Sequence, residues 1–328
     1  AVTSAAIITT LRNAAGTMGS FVAWHRASGF RHFFLFFDDP SDALLEWART
    51  QADITAIPCD DALRQTWQGL QLWAEAGPHI GREVMARQLL NAEHAMTLAR
   101  AQGLDWLLHI DADELFYAPG IDAGAHFATL PPQADAAAYI NYEAVPEVED
   151  TGDFFRTVTL FKRPLDAAPW PEAQALITRA GQNVEAFFHF YGNGKSAVRL
   201  SSPGMLPINV HAFARRTPSN IIWNRGPFIL HYPCCGFVTF WQKYLTLGRF
   251  PDTWWGTMNI ADAVGPFHLQ ARDGVMDAMA GNDPDYARRF FRDRLMITDP
   301  VLIGAMIRHG LLERITAPQK VLLEHPAV

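Results

Sequence analysis

The sequence predicts an α/β protein built around an open sheet with parallel strands at its centre. Three apolar runs, at residues 5–11, 33–37 and 106–110, have the length and continuity of strands covered on both faces. A helical segment separates each run from the next, which is the βαβ alternation of an open sheet. Acidic residues directly follow the second and third runs. Because ligands of such sheets bind beyond the carboxyl ends of the strands, we expect a site there.

The composition is typical of a globular protein with a large core. The chain has 328 residues, 49% of them hydrophobic and 19% charged, and a net charge of −7. No stripe of lysine and arginine residues is present, which argues against nucleic acid as a partner. No apolar run reaches the roughly 18 residues that cross a bilayer, so no membrane span is predicted. The three cysteines, Cys59, Cys234 and Cys235, are expected to be buried thiols.

The first two strands and the helix between them are marked by their boundaries. Residues 5–11 predict the first strand, and a glycine-bearing turn over residues 13–19 follows it. The helix then runs from residue 20 to Gly29, because glycine suits the left-handed position that ends many helices. The second strand, residues 33–37, ends abruptly at Asp38-Asp39-Pro40.

A long helix precedes the third strand. Apolar residues at helical spacing predict it over about residues 81–102, with Gly103 closing it; they are Met85, Leu89, Ala92, Met96 and Ala99.

Beyond residue 137 the pattern changes to shorter apolar segments, at residues 138–140 and 157–161, and a helix is predicted over residues 237–247. No linker divides the chain, so we expect one domain over residues 1–265. Residues 266–328 are expected to form a helical C-terminal extension of that domain. The compartment stays open: the Golgi lumen if an N-terminal anchor was removed, and the cytoplasm otherwise.

The strongest local signal is Asp111-Ala112-Asp113-Glu114, directly after the third strand. Side chains alternate along an extended chain, so Asp111 and Asp113 project to the same side. Two carboxylates this close repel each other unless they share a cation, and hard oxygen ligands suit Mg²⁺ or Mn²⁺ bound also by a diphosphate. The alternative is a solvated acidic turn or helix N-cap, which needs no metal.

A second acidic group, Asp38-Asp39, ends the strand at residues 33–37. Carboxylates at this edge are able to accept hydrogen bonds from a uracil N–H or from ribose hydroxyls. The alternative is an acidic turn opened by Pro40. Two acidic strand ends together favour the nucleotide interpretation.

The ordered series of these segments resembles nucleotide-sugar glycosyltransferases of the GT-A fold, close to glycosyltransferase family 92 and its family 2-like relatives. The resemblance covers roughly residues 5 to 250. The matching stretches are Leu11-Arg12-Asn13, residues 21–25 with Gly29, residues 33–42, Gln88, residues 105–116, Gly194-Lys195-Ser196-Ala197-Val198-Arg199, His211-Ala212-Phe213 and His231-Tyr232.

The resemblance implies a GT-A (Rossmann-like) open mixed sheet flanked by helices. It also implies a nucleoside-diphosphate sugar as donor, with UDP as the first candidate, and Mn²⁺ or Mg²⁺ as cofactor. The residues it assigns to donor binding are Arg12, Asn13, Asp38, Asp39, Gln88, Asp111, Lys195 and Arg199.

Two further assignments depend on position. Lys195 and Arg199 lie two strand repeats apart and are expected to face one diphosphate, unless they are a solvated pair on a loop. His231 is expected to complete the metal shell of Asp111 and Asp113, because GT-A enzymes often use a late histidine in this way. His211 is the second candidate.

An inverting transfer, which the resemblance suggests, needs an acidic side chain within hydrogen-bond reach of the acceptor hydroxyl. Glu143, which follows a strand predicted at residues 138–142, is the first candidate for this general base, and Asp153 is the second. The alternative for both is a solvated acidic loop.

The sequence therefore predicts a metal-dependent glycosyltransferase that moves a hexose or pentose to a hydroxyl of a glycan or of a small-molecule acceptor. Two other classes remain open. One is an inactive glycan-binding module on the same fold, and the other is a metal-dependent nucleotidyltransferase or phosphohydrolase.

Overall fold

The chain, described over residues 3–325 in this computed structural model, folds as two compact units. The first unit comprises residues 3–140, Asn193–Ile229 and His325, and the second comprises Asn141–Gly192 and Leu230–Glu324. The predicted division of the chain at residue 265 stays a prediction.

The elements are numbered here in chain order. Those before residue 145 are β1 (Ala5–Leu11), α1 (Met18–Ala27), β2 (His32–Phe37), α2 (Leu44–Arg49), β3 (Ile54–Pro58), α3 (Asp61–Trp67), α4 (Trp73–Ala76), α5 (Val84–Ala101), β4 (Trp106–His109), β5 (Glu114–Tyr117), α6 (Ala123–Thr129) and β6 (Ala136–Ala144).

After residue 140 the chain passes from the second unit back to the first and then returns to the second. Its elements are α7 (Phe154–Thr157), β7 (Leu160–Lys162), α8 (Pro171–Arg179), β8 (Lys195–Arg199), β9 (Leu206–Asn209), β10 (Ala212–Ala214), β11 (Ile221–His231), α9 (Phe237–Leu247), β12 (Thr253–Trp254), β13 (Met258–Asn259), α10 (Ile260–Val264), α11 (Phe267–Ala280), α12 (Pro284–Leu295), α13 (Pro300–Arg308), β14 (Leu312–Arg314) and α14 (Ala317–Leu323).

The sheet of the first unit is open and mixed, as predicted. Its strand order is β8-β4-β1-β2-β3, and the four strands from β4 to β3 run parallel. Strand β8 is antiparallel to β4, and the first residues of β6 are antiparallel to β8. Helices flank this sheet, and α5 and α6 both contact β1. The mixed α/β class predicted from the sequence is therefore confirmed.

Burial explains why the apolar runs form central strands. Every residue of β1 is buried, and residues 33–37 of β2 are fully inaccessible to solvent. Continuous apolar runs are needed because helices cover both faces of a parallel sheet. The prediction from the runs at residues 5–11, 33–37 and 106–110 is confirmed, with β4 ending one residue early, at His109.

The second unit contains most of the C-terminal helices. Helices α9, α11 and α12 share an apolar core that includes Phe240, Phe267 and Phe291. Most of the described residues after Pro266 lie in helices, and β14 interrupts these helices and pairs with β7. The apolar segment at residues 157–161 is divided between two elements, because α7 ends at Thr157 and β7 begins at Leu160.

All three cysteines are buried free thiols, as expected. None of the helices within residues 3–325 combines the length and the apolar character that a bilayer crossing requires.

Candidate functional site

Three polar turns of the first unit leave the same edge of the sheet. Strand β1 runs parallel to β2 with Leu11 beside Phe37, and parallel to β4 with Ile8 beside His109. The carboxyl ends of parallel neighbours coincide, so the turns that begin at Arg12, Asp38 and Asp111 meet at one edge. Both acidic turns therefore lie beyond the carboxyl ends of parallel strands, where a site is expected from the sequence.

Asp111 is held by side chains on both of its oxygens. Gln88 Nε2 donates to Oδ1 at 2.7 Å, and Lys195 Nζ donates to Oδ2 at 2.7 Å. Burial favours the neutral acid, but the Lys195 ammonium outweighs it and holds the pKa of Asp111 well below its usual range. The structure places both Gln88 and Lys195 on Asp111, and their predicted role in donor binding stays a prediction.

Lys195 is a fully buried cation. Its side chain is 0% exposed, and its ammonium also donates to the Val210 main-chain oxygen at 3.1 Å. Glu114 Oε2 lies 3.6 Å away. Burial alone lowers the pKa of a lysine, but Asp111 and Glu114 outweigh that effect and raise the pKa of Lys195. The group is therefore an ammonium ion at neutral pH.

Glu114 closes the turn that carries the two aspartates. Its Oε2 accepts the main-chain N–H of Asp111 at 2.7 Å, and the residue is completely buried. Its Oε1 has no hydrogen-bond partner, and burial raises the pKa of Glu114 well above its usual value. No site role was predicted for Glu114, although its position three residues after Asp111 is the spacing of a side chain that closes a turn.

Asp113 lies in this turn, between Asp111 and β5, and is half-buried. Within residues 3–325, no three histidine, cysteine, aspartate or glutamate side chains form a group that could hold a metal ion. Mg²⁺, however, is usually bound by one or two carboxylates together with substrate phosphates and water. The residues present fit such a cation at Asp113, whereas Asp111 already has a cationic partner.

Two histidines lie near the Asp111–Lys195 pair, and both are neutral at physiological pH. His109 is buried in β4, where it pairs with Ser196 of β8, and its Nε2 has no hydrogen-bond partner. His211 Nδ1 is 2.8 Å from the main-chain oxygen of Gly194. Burial lowers the pKa of each imidazole to about 3.

Asp38 forms ion pairs with arginine side chains of the first unit. Arg87 binds it through two hydrogen bonds, Nε to Oδ1 at 2.5 Å and Nη2 to Oδ2 at 2.9 Å. Arg12 approaches the same carboxylate at 3.9 Å but keeps 47% of its side chain exposed. Arg87 was not predicted as a partner of Asp38. The only sequence feature that pointed to it was its position next to Gln88 on the long helix.

Asp39 and Asn13 complete this edge. Asp39 is half-buried, and its pKa is lowered because Oδ1 accepts hydrogen bonds from the Ser41 hydroxyl at 2.6 Å and the Ser41 N–H at 2.9 Å. Asn13 has the left-handed φ of 57°, so the chain turns sharply just after β1. A surface cavity of about 380 Å³ follows β2 and β3, lined by residues that include Ser41, Asp42 and Asp60.

Arg199 is separated from Lys195, contrary to the prediction that both face one diphosphate. The two residues lie at opposite ends of β8. Arg199 pairs with Trp106 at the start of β4. Four residues of strand span about 13 Å. The Arg199 guanidinium donates to the main-chain oxygens of Ala134 and Pro131 and lies over the Trp106 ring. These contacts give Arg199 a structural role.

Glu143 lies within β6 of the second unit, not after the strand as predicted. It is 1% exposed, and Lys162 Nζ donates to its Oε1 at 3.1 Å. The main-chain N–H groups of His189 and Phe190 donate to Oε1 and Oε2 at 2.9 and 3.0 Å. A carboxylate with these partners anchors residues 189–190, and its burial keeps it from the surface where an acceptor would arrive; its role as general base stays a prediction.

The other two predicted residues of the second unit lie in different surroundings. Asp153 caps α7 by accepting the Phe155 N–H, and it pairs with Arg156 at 3.2 Å. The His231 ring stacks on Tyr191 with centroids 4.5 Å apart. The metal role of His231 stays a prediction.

Comparison with known proteins gives similarities in sequence and, weakly, in structure. No protein-family model matches the chain. Two proteins of Arabidopsis thaliana, both named glycosyltransferase-like, are 28% identical over 246 residues and 25% identical over 247 residues. Each alignment covers 74% of this chain, but only 53% and 46% of the relative, so the chain spans about half the length of the curated relatives it matches.

Two solved structures match part of this chain, both with low TM-scores. Core-mannan synthase A from Aspergillus fumigatus, in its Mn/GDP form, has a TM-score of 0.27 and 16% identity, with 44% of each chain covered. A mannosyltransferase from S. cerevisiae in complex with GDP has a TM-score of 0.29 and 9% identity, with 60% of this chain and 57% of that chain covered.

Proposed function

We propose that this chain is a glycosyltransferase that moves a sugar from a nucleoside-diphosphate sugar to a hydroxyl of a glycan or small-molecule acceptor. One observation carries the proposal: polar turns after β1, β2 and β4 meet at one edge of a parallel sheet, where open α/β sheets bind their ligands. The sequence similarity to two glycosyltransferase-like proteins supports it.

The nucleotide end of the donor fits the turns after β1 and β2. Arg12 is an exposed cation and Asp39 a half-buried carboxylate of these turns, and Asn13 supplies an amide beside them. A carboxylate such as Asp39 accepts hydrogen bonds from ribose hydroxyls or from a uracil N–H, and UDP is the first nucleotide to test. The Arg12 guanidinium suits an anionic phosphate.

The diphosphate end fits the turn at residues 111–114. A divalent cation, Mn²⁺ or Mg²⁺, held by Asp113 together with the donor phosphates would stabilise the charge on the leaving nucleoside diphosphate. Asp113 is held in place because Glu114 and Asp111 close the turn around it. His231 remains the predicted further ligand, and loss of metal affinity in His231→Ala, greater than in His211→Ala, is the expected sign of that role.

The acceptor hydroxyl needs a group that takes its proton, and an inverting transfer would place that group on the acceptor side. Asp153 is the remaining candidate, because Glu143 is only 1% exposed, whereas the Asp153 side chain keeps 15% of its surface exposed.

A screen of nucleotide sugars for Mn²⁺-dependent release of nucleoside diphosphate tests the proposal. We expect release that EDTA stops and that Asp113→Asn lowers at least a hundredfold. Asp61→Asn, which changes an exposed carboxylate of α3, is the matched control and should keep the wild-type rate. A glycan-binding module would bind sugar without release. A phosphohydrolase would instead cleave the pyrophosphate bond, so its products would be the nucleoside monophosphate and a sugar phosphate, with no acceptor glycosylated.

A further inference from the structure

A cavity of the first unit lies at the opposite edge of the sheet from the polar turns after β1, β2 and β4. It has a volume of about 280 Å³ and lies between α5 and the segment that follows β8. Strand β8 ends at Arg199, which pairs with Trp106 at the start of β4, so this segment begins at the amino ends of the parallel strands. The residues that line the cavity include Gln71, Glu93, Thr97, Arg100, Ser201 and Ser202.

Arg100 is fixed at this cavity without an acidic partner. It lies in the last turn of α5, and its Nε donates to the main-chain oxygen of Leu200 at 2.9 Å. Within residues 3–325 its guanidinium forms no ion pair, and Nη1 and Nη2 have no hydrogen-bond partner. Burial lowers the pKa of Arg100 and no carboxylate opposes this effect, but an arginine keeps its charge at neutral pH. The N–H groups of Nη1 and Nη2 are therefore left for a ligand.

The segment on the other side of the cavity, residues 200–206, is held in place at two points besides Arg100. The main-chain N–H of Leu200 donates to the main-chain oxygen of Asp105 at 2.9 Å. Arg215 Nη1 donates to the main-chain oxygen of Pro203 at 3.3 Å. The cavity therefore has two fixed walls, a helix and an anchored loop.

The remaining polar groups of the walls limit the kind of ligand that fits. Thr97 and Ser201 are exposed and supply hydroxyl groups to the cavity. Glu93 is buried, and its Oε1 and Oε2 accept the main-chain N–H groups of Gln71 and Leu72 at 2.8 and 3.0 Å. Because like charges repel, the Glu93 carboxylate favours a ligand with a single anionic group over a polyanion such as a diphosphate.

We propose that this cavity binds a small hydroxylated anion, a sugar acid or a sugar phosphate, with its anionic group on Arg100 and its hydroxyls on Ser201 and Thr97. A guanidinium binds two oxygens of a carboxylate or a phosphate at once. Serine and threonine hydroxyls both donate and accept hydrogen bonds, as sugar hydroxyls do. The volume is below the range of roughly 300–1,000 Å³ for pockets that take drug-sized ligands, so a single sugar is the size that fits.

This site goes beyond the proposed sugar transfer. Open α/β sheets bind their substrates at the carboxyl ends of the strands, and the cavity lies at the other edge. Twelve residues of α5 separate Arg100 from Gln88, which corresponds to about 18 Å along the helix. The bound anion is therefore a second ligand of the protein, and its binding needs no nucleotide sugar.

Two-dimensional amide NMR of the full chain, titrated with glucuronate, glucose 6-phosphate, glucose and pyrophosphate, tests the proposal. We expect saturable shifts of the amides around the cavity with at least one of the two acidic sugars, at a Kd below about 10 mM. Glucose, which lacks the anionic group, should bind at least tenfold more weakly. The acidic sugar that binds more tightly identifies the group that Arg100 prefers, whereas tighter binding of pyrophosphate than of both would overturn the ligand class.

Two variants locate the binding. Arg100→Gln should weaken it at least tenfold, because the amide nitrogen takes the place of Nε beside the Leu200 oxygen while the charge is lost. Ser201→Phe keeps that charge but fills the cavity, and it should weaken binding by at least as much. Arg64→Gln is the matched control, since it removes an exposed arginine of α3, and should bind within about twofold of the wild type.

Circular dichroism checks that each variant is folded, and Ser201→Phe alone decides the matter if Arg100→Gln does not fold. No saturable binding of either acidic sugar would overturn the inference, and so would unchanged binding in a folded Arg100→Gln or Ser201→Phe protein. The nucleotide-sugar screen has a separate outcome, because no donor is present in this titration. Binding here with a negative screen would reject the glycosyltransferase and keep this site.

Discussion

His25 Nε2 accepts a hydrogen bond from the main-chain N–H of Phe116 at 3.0 Å. The neighbouring residue Trp24 donates from its indole Nε1 to the main-chain oxygen of Phe116 at 2.9 Å. Helix α1 therefore holds both main-chain groups of one residue in β5, two positions after Glu114. Because the indole and imidazole are buried, we infer that they position β5 and the turn before it.

Trp24→Phe is expected to lower the free energy of unfolding by about 1–3 kcal/mol, since it leaves the buried oxygen of Phe116 without its partner. Trp47→Phe is the matched control, because the buried indole nitrogen of Trp47 has no hydrogen-bond partner. It should cost less than about 1 kcal/mol. Urea denaturation followed by circular dichroism measures both values. Equal losses in the two variants would show that the bond to Phe116 contributes nothing.

The stability of the protein should fall in acid, and His25 should account for part of that fall. Burial lowers the pKa of His25 to about 3, whereas the unfolded chain titrates near 6.5. The unfolded state therefore binds more protons between these values, so stability is fully present above pH 6.5 and is lost as the pH falls towards 3. Each such histidine contributes a slope of at most about 1.4 kcal/mol per pH unit.

His25→Gln tests this slope, because glutamine keeps an acceptor for the Phe116 N–H and does not titrate. Urea midpoints measured from pH 8 to pH 4 should depend less steeply on pH in this variant than in the wild type. Parallel curves would mean that His25 is already protonated in the folded protein, contrary to its place in the core.

The sequence was sufficient for the central strands because burial on both faces leaves a continuous apolar run. Residues 5–11 and 33–37 carried that signal, and the turns after them followed from the parallel arrangement. Strand β3 was missed because its burial is only partial and its run, Ile54–Pro58, is short and mixed.

The contacts of Lys195 and Gln88 with Asp111 were not predicted from the sequence. These residues come from β8, from α5 and from the turn after β4, and side-chain contacts between distant segments leave no local sequence pattern. Glu143 was misjudged for the same reason: its partner Lys162 lies in another strand.

Gly194 is required where the chain enters β8. Its φ is +70°, and an added Cβ would overlap the main-chain oxygen of Tyr139, which cannot move without breaking the sheet. Gly103 has the same φ of +70° but open space around it. Gly103→Ala should therefore cost about 1–2 kcal/mol, the left-handed penalty alone. Gly194→Ala should cost clearly more or prevent folding, and similar melting temperatures for the two variants would contradict the close approach.

A nucleoside diphosphate should raise the melting temperature only when Mn²⁺ or Mg²⁺ is present. Ligand that binds the native state stabilises it by about 2.7 kcal/mol at a concentration one hundred times its Kd, and the diphosphate needs the cation to bind beside Asp113. Differential scanning fluorimetry with UDP and GDP, each with metal and with EDTA, measures the shift. Asp113→Asn should remove the shift while Asp61→Asn keeps it. Equal shifts in EDTA would reject a metal-dependent site.

Glu143 and Lys162 form a buried pair whose loss should affect folding more than chemistry. Burial lowers the pKa of Lys162 and the charge of Glu143 opposes this, so Glu143→Gln leaves an ammonium ion without its anion. We expect that variant to lose about 3–5 kcal/mol of stability. Adding Lys162→Met removes the stranded charge, so the double variant should be more stable than the sum of the single losses predicts.

The same variants decide whether Glu143 is the general base. Once corrected for the folded fraction, Glu143→Gln should release nucleoside diphosphate at a rate within about tenfold of the wild type, because its oxygens bind Lys162 and two main-chain N–H groups and not an acceptor. Loss of a true base costs about 10²–10⁴-fold, which is the expectation for Asp153→Asn. A stable Glu143→Gln protein with a loss of that size would return the catalytic role to Glu143, and the network around it would then have to open when the acceptor binds.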